Sequence, residues 1–233
     1  MLRSVSVSTD RLERWVAGFG ERHPGVTAAL RADRVILRAL DGSTAELFVA
    51  FPPLADPAAL ASPIPADLAA ADLVPADLTP AGLASVLVAN AHSVPVLRAL
   101  LIRRGGYACA VLTGDRVTAS KVGSRYVQGR TAAGGWSQQR FARRRDGQVH
   151  ALVGSATAVA IRVLLPVSAQ DALVTGGDRP LIDRVLADPR LAALTRLRRG
   201  PHLEIGDPKF DLVRELPTTG RAIRIALDEK PSF

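Results

Sequence analysis

Cysteine, lysine and long apolar runs are scarce in this chain of 233 residues. The single cysteine, Cys109, cannot form an internal disulfide, and its place in an apolar run predicts a buried structural thiol rather than a reactive one. No uninterrupted apolar run approaches the roughly 20 residues that a membrane-spanning helix needs. The amino terminus also lacks the charged-then-apolar pattern of a signal peptide. We therefore expect a cytoplasmic protein with no membrane partner.

The motifs of several familiar enzyme sites are absent as well. The four histidines, His23, His92, His150 and His202, are isolated in the sequence and lack metal-ligand spacing, which predicts a structural or surface role for each. Neither a Walker-type loop, a dinucleotide fingerprint nor a G-x-S-x-G elbow occurs. We therefore expect no metal and no cofactor, and a serine hydrolase is disfavoured.

Positive charge is concentrated in one segment. The formal net charge is +8, and residues 116–145 hold eight basic side chains and no acidic one. The remaining 22 basic residues are balanced by 22 acidic residues, so the whole excess lies in this segment. Only three of the 30 basic residues are lysines, a bias that genome composition alone can produce. The segregation of the positive charge in one segment, however, favours a nucleic-acid site over a solvated charged face.

The first part of the chain predicts a small α/β domain over residues 1–54. A short strand at 2–7 precedes a helix, and two strands, Val26–Leu40 and Thr44–Phe51, flank the turn sequence Asp-Gly-Ser. Residues 55–80 are rich in proline and alanine, which disfavours long helices and predicts a connector.

The second predicted domain, residues 81–233, is an α/β (α+β) unit with a mixed sheet flanked by helices. The pattern predicts, in order, a helical pair ending near 103–106, strands at 107–112 and 117–127, a long helix at 138–165, a strand at 172–175, a helix from 178, a strand at 202–205 and a closing hairpin of strands 211–216 and 221–227. The long helix places its apolar residues on one face.

The segment Gly134–Arg145 holds the most distinctive chemistry. Gly134 and Gly135 allow the backbone to approach a ligand closely, and the amides of Gln138 and Gln139 can orient a water molecule but cannot deprotonate it. Trp136 can either stack on a base or anchor the loop. The candidate phosphate-binding residues are Lys121, Arg125, Arg130, Arg140, Arg143, Arg144 and Arg145.

Gly134–Arg145, with the strands before it and the apolar helix after it, resembles the actinobacterial Vms-type release-factor-like peptidyl-tRNA hydrolases. These proteins are related to the catalytic middle domain of eukaryotic and archaeal release factors. The resemblance covers about residues 83–230. It implies an RNase-H-like fold and a role in translation and ribosome quality control. Its implied partners are the large ribosomal subunit, peptidyl-tRNA and ribosomal RNA.

The resemblance also implies the site residues. Release factors place glutamine directly after two glycines, whereas Trp136 and Ser137 intervene here, so Gln138 matches the family glutamine best and Gln139 is the other candidate. With Gly134, Gly135 and Ser137, these residues form the expected catalytic tip, which would help water to attack the peptidyl-tRNA ester. Two alternatives stay open: a non-catalytic ribosome- or RNA-binding factor, and a nuclease that cleaves the tRNA acceptor end.

Overall fold

A computed structural model describes residues 3–54, 79–125 and 136–230, and within 136–142 it describes the helical backbone only. The chain divides into two compact units. The first unit comprises Met1–Val94 together with Arg221–Phe233, and the second comprises Pro95–Gly220. This division differs from the predicted boundary after residue 80, because the next helix and the last strand both belong to the first unit.

Ten strands and six α-helices lie in the described residues. The strands are β1 (Arg3–Val7), β2 (Thr27–Leu30), β3 (Arg34–Arg38), β4 (Thr44–Phe48), β5 (Val96–Arg103), β6 (Gly106–Thr113), β7 (Arg116–Ser124), β8 (Ala172–Gly177), β9 (Arg198–Leu203) and β10 (Ile223–Asp228). The helices are α1 (Leu12–Arg22), α2 (Pro80–His92), α3 (Trp136–Leu164), α4 (Arg179–Leu186), α5 (Ala192–Thr195) and α6 (Phe210–Thr219).

The first unit is an antiparallel sheet with two helices. Its strand order is β1-β10-β4-β3-β2, and α1 buries Leu12, Val16 and Phe19, which recur at helical spacing. The side-chain amide of Asn90 on α2 accepts from the backbone N–H of Phe51 and donates to its carbonyl, both at 3.1 Å. The predicted single strand Val26–Leu40 is wrong, because this stretch turns back on itself to form the hairpin β2–β3.

The second unit contains a mixed sheet in the order β7-β6-β5-β8-β9. Strands β5, β6 and β7 are antiparallel neighbours, whereas β8 and β9 run parallel to β5. Helix α3 packs its apolar face on this sheet, where Leu152 and Ala156 join Leu100 and Cys109 in the core. The expected α/β fold with a mixed sheet flanked by helices is confirmed.

Two predicted elements of the second half have the wrong type. Strand β5 was expected to be the second helix of a pair, but it lies between β6 and β8 and is buried on both faces. A strand covered on both faces carries an unbroken apolar run, which periodicity cannot distinguish from a buried helix. Helix α6 was expected to be a strand; its buried residues, Val213 and Leu216, are three positions apart, as helical packing requires.

The expectation that no segment is apolar enough to span a membrane is also corrected. Residues Arg143–Leu164 of α3 are long and apolar enough to span a membrane, judged by length and composition alone. The apolar face of this helix is packed into the core of the second unit, where Leu152, Ala156 and Leu164 are fully buried. A soluble core helix meets the same criterion, and this packing is typical of one.

A buried ion pair fastens the carboxyl end of α3. Arg98 on β5 donates through Nε to Asp171 Oδ2 at 2.7 Å and through Nη1 to the carbonyl of Leu164 at 2.6 Å. The same carboxylate oxygen accepts from the backbone N–H of Ser168 at 3.0 Å. Arg98 is 9% exposed and Asp171 1% exposed. One guanidinium thus connects the central strand, the last carbonyl of the helix and the loop that follows.

We predict that Asp171→Asn destabilises the second unit strongly. The substitution leaves the Arg98 guanidinium buried without its counter-charge, which costs about 3 kcal/mol or more. Equilibrium unfolding in urea, followed by circular dichroism, measures the loss. Asp207→Asn is the matched control, because Asp207 is exposed, and its substitution should change stability by less than about 0.5 kcal/mol. Equal stability of the two variants would show that the pair does not hold the helix end.

Candidate functional site

The distinctive glycine- and arginine-rich segment lies between β7 and α3. Strand β7 ends at Ser124, and α3 begins at Trp136. The predicted site residues Gly134, Gly135 and Arg130 lie outside the described residues. The described part of the site consists of its two flanks, the end of β7 and the beginning of α3.

The first flank is β7, which forms one edge of the mixed sheet. Residues 116–121 of this strand are all exposed, and Arg116 and Lys121 supply its positive charge. Arg125, directly after the strand, is exposed too. No acidic residue occurs from 116 to 125. An exposed basic edge also protects a sheet from pairing with other chains, so exposure alone does not specify a ligand.

The second flank is the beginning of α3. The helical backbone starts at Trp136, so Ser137, Gln138, Gln139 and Arg140 lie within its first turns. The sequence predicted a helix only from Gln138 onward. The first backbone N–H groups of a helix have no partner inside it, and this end carries the positive pole of the helix dipole. The glutamines therefore lie where the backbone itself favours developing negative charge.

The predicted arginines that follow are accessible on the same helix. Arg143 and Arg144 are exposed, and Arg145 is half-buried. The next residue, Asp146, is the first acidic side chain after the basic segment. The structure thus places Lys121 and Arg125 on one flank of the loop and Arg143–Arg145 on the other.

A cavity lies between the end of β7 and the middle of α3. It has a volume of about 440 Å³ and is lined by Tyr107, Ser124, Arg125, Gln148, Ala151 and Ser155. Five of these six side chains carry polar atoms, and none is acidic. The cavity is formed where β6 and the end of β7 face α3, within the second unit.

The wall of this cavity is held by two specific contacts. The ring of Tyr107 lies against Gly123, where an added Cβ would be only 2.4 Å from the tyrosine hydroxyl oxygen and from the ring carbon that bears it. Glycine is therefore required opposite the ring. Arg125 donates through Nε to the hydroxyl of Ser155 at 3.0 Å. This bond connects the last described residue before the loop to the middle of α3.

The sequence pattern did not reveal the cavity, although three of its lining residues lie on α3. Arg144, Gln148, Ala151 and Ser155 recur at intervals of three or four residues, so they form one polar or small stripe along α3. The apolar face of the helix predicted how it packs, and the stripe beside it had no predicted role. Tyr107 and Ser124 could be joined to it only through the sheet register.

Cys109 and three of the four histidines are held in contacts within the described part of the chain, and His150 is exposed. Cys109 is buried, as predicted, and burial raises the pKa of its thiol to about 12, which keeps it protonated. His23 contacts Asp41 Oδ2 at 2.7 Å, and His92 contacts the Thr9 hydroxyl at 3.2 Å. No group of three His, Cys, Asp or Glu residues that could hold a metal occurs among the described residues.

His202 is similarly occupied. Its Nε2–H donates to the carbonyl of Gly177 at 3.1 Å, which leaves Nδ1 to accept from the Thr175 hydroxyl at 3.0 Å. Burial, aided by the charge of Arg179, lowers the pKa of His202. Its neutral ring therefore connects the parallel strands β8 and β9.

Comparison with known proteins identifies the family. A family model described as Actinobacteria/chloroflexi VLRF1 release factor matches residues 95–226, more than half of the chain and the whole second unit. Comparison with curated proteins gives no significant match. A release-factor-like family implies a ribosome-associated cytoplasmic factor of translation termination or ribosome rescue. The resemblance seen in the sequence is thus confirmed: the chain belongs to the Actinobacteria/chloroflexi VLRF1 release factor family.

Proposed function

We propose that this protein is a peptidyl-tRNA hydrolase that frees stalled nascent chains from the large ribosomal subunit. The observation that carries the proposal is the position of Gln138 and Gln139 in the first turn of α3, two residues after a glycine pair and between two exposed basic flanks. Family membership supports it, since release-factor-like proteins act on the ribosome. The proposed RNA partners are peptidyl-tRNA and ribosomal RNA.

The proposed reaction is hydrolysis of the ester between peptide and tRNA. The oxygen of a water molecule attacks the ester carbonyl carbon, and the bond from that carbon to the ribose oxygen breaks. The ribose oxygen leaves with a proton from the water, which yields a free peptide acid and intact tRNA. An amide cannot remove a proton, so we assign Gln138 the task of orienting the water. Such positioning can contribute several kcal/mol to lowering the barrier.

Backbone groups complete this proposed site. The glycines at 134 and 135 let the chain approach the ester closely, and Ser137 supplies a hydroxyl beside the glutamine. Unpartnered N–H groups at the start of α3 suit the negative charge that develops on the carbonyl oxygen. The chain itself offers no carboxylate or histidine between residues 116 and 145. The terminal ribose hydroxyl of the tRNA is the proposed route for the proton.

The basic residues have a separate proposed task. Lys121 and Arg125 on one flank and Arg143, Arg144 and Arg145 on the other would hold phosphates of tRNA or ribosomal RNA, together with Arg130, Arg140 and a stacking Trp136. A non-catalytic RNA-binding factor would share this part of the surface. The glutamine-bearing helix start is what favours an enzyme.

We predict that Gln138→Ala abolishes peptide release while binding to the large subunit is kept, because the substitution removes the water-orienting amide and no charge. Release is measured with purified large subunits that carry labelled peptidyl-tRNA, and binding by co-sedimentation with the same particles. A fall in release of about 100-fold or more is expected, in line with the loss of one positioning or transition-state hydrogen bond.

Two further variants make this test specific. Gln139→Ala reports whether the neighbouring amide has the role instead, and Gln170→Ala is a matched control because Gln170 is exposed on a turn outside the basic flanks. Full release by Gln138→Ala would eliminate the role assigned to Gln138. Binding without release by the wild-type protein would favour the non-catalytic factor.

A second prediction concerns the arginines of α3. The double substitution Arg143→Ala/Arg144→Ala should weaken RNA binding and lower the slope of log affinity against log salt by about 1.4 to 1.8, the change expected for two lost phosphate contacts. The control Arg184→Ala/Arg196→Ala removes the same charge from exposed positions of the second unit. Equal slopes for both double variants would mean that Arg143 and Arg144 do not contact phosphates.

A further inference from the structure

The cavity between β7 and α3 offers hydrogen-bonding groups that are not used inside the described part of the chain. Tyr107 and Ser124 line it, and neither hydroxyl has a hydrogen-bond partner among the described residues. Tyr107 is nevertheless only 7% exposed. A mostly buried tyrosine that lines a cavity and has no described hydrogen-bond partner for its hydroxyl is suited to a polar ligand.

Arg125 lines the same cavity. Its Nε is occupied by the Ser155 hydroxyl at 3.0 Å, and it forms no salt bridge with any described residue. The edge formed by Nη1 and Nη2 therefore stays available for a bidentate contact, which phosphate oxygens fit well. Because no acidic side chain lines the cavity, its charge favours an anion.

Size and chemistry specify the ligand further. The volume of about 440 Å³ falls within the roughly 300 to 1,000 Å³ of pockets that take small organic ligands, so there is room for more than a phosphate ion. Gln148 lies 12 residues into α3, which is about 18 Å along the helix axis from Trp136.

We propose that this cavity is a nucleotide-binding subsite that takes one unpaired nucleotide of RNA, with its phosphate on Arg125. Tyr107 and Ser124 donate hydrogen bonds to phosphate or ribose oxygens, and Ser155 holds the arginine in place. The inference rests on the proposed function, because it takes the bound RNA to be the RNA on which the loop acts. Because the cavity is about 18 Å along α3 from Trp136, the bound nucleotide would be a second contact, separate from the reactive ester.

The test is calorimetric titration of the full-length protein with adenosine 5′-monophosphate and cytidine 5′-monophosphate. Adenosine without phosphate and inorganic phosphate alone are the comparison ligands. Saturable binding of the nucleotides is expected, with adenosine weaker by about tenfold or more because the charge-assisted contacts to Arg125 are lost. Displacement of the nucleotide by a single-stranded RNA pentamer shows that RNA occupies the same cavity.

Two pairs of variants locate the binding. Ala151→Phe fills the cavity from an exposed position on α3, and Ala192→Phe adds the same side chain at an exposed position of α5 that does not line the cavity. Ser155→Ala releases Arg125, and Ser120→Ala removes a hydroxyl from the exposed face of β7. Ala151→Phe and Ser155→Ala should each weaken nucleotide binding by about tenfold or more, whereas both controls should bind like the wild-type protein. Circular dichroism melting curves confirm that each variant is folded.

Each outcome supports or overturns the inference. Absence of nucleotide binding overturns it, as do unchanged binding by Ala151→Phe and Ser155→Ala and a failure of the RNA pentamer to compete. The peptide-release assay is independent of these titrations. If release is seen without nucleotide binding, the subsite is wrong and the proposed function stands. If nucleotide and RNA bind but no peptide is released, the subsite stands and the hydrolase is wrong.

Discussion

Everything at the candidate site depends on how α3 is anchored. The helix has 29 residues, but its fully buried side chains, such as Leu152, Ala156 and Leu164, all come from its second half. Arg98 and Asp171 then fasten its last carbonyl to the central strand of the sheet. Among the residues of the first half whose side chains are described, 143–150, Val149 joins the core and is partly buried. One end of the helix is thus fixed, and the other carries the glutamines and arginines.

This arrangement separates stability from function along a single element. Buried apolar packing and one ion pair hold the second half of α3. The exposed Arg143 and Arg144 are then available to a partner. A cavity with hydroxyl, amide and guanidinium groups lies where the two halves meet, next to Ser155 and Arg125. A helix with a buried half, a polar cavity along its middle and a charged beginning is well suited to hold RNA at more than one point.

The sequence revealed the parts of this arrangement that depend on local pattern. The concentration of charge, the glycine pair and the long apolar helix could all be recognised, and the family resemblance followed from them. The type of β5 could not be recognised, because Leu97–Ile102 is apolar without alternation except at Arg98. Contacts between residues far apart in the sequence could not be predicted either. Arg98 and Asp171 are 73 positions apart, and nothing in the local sequence of either residue indicates the other.

The cavity was missed for a related reason. Tyr107 and Ser124 come from adjacent strands, and Gln148 and Ser155 from a helix beyond the loop. Polar residues on a helix are usually solvated, so their stripe on α3 indicated nothing until the register of β6 and β7 placed Tyr107 opposite Gly123. The role of Gly123 in particular required the structure, because the ring of Tyr107 occupies the space that a Cβ would need.

The central claim is that the ester, and not the tRNA chain, is broken. Mapping the 3′ end of the tRNA after wild-type protein has released a labelled peptide from stalled large subunits tests this claim most directly. The account predicts full-length tRNA that ends in its terminal adenosine and carries a free ribose hydroxyl. A tRNA shortened at the acceptor end, with nucleotides still attached to the released peptide, would contradict it.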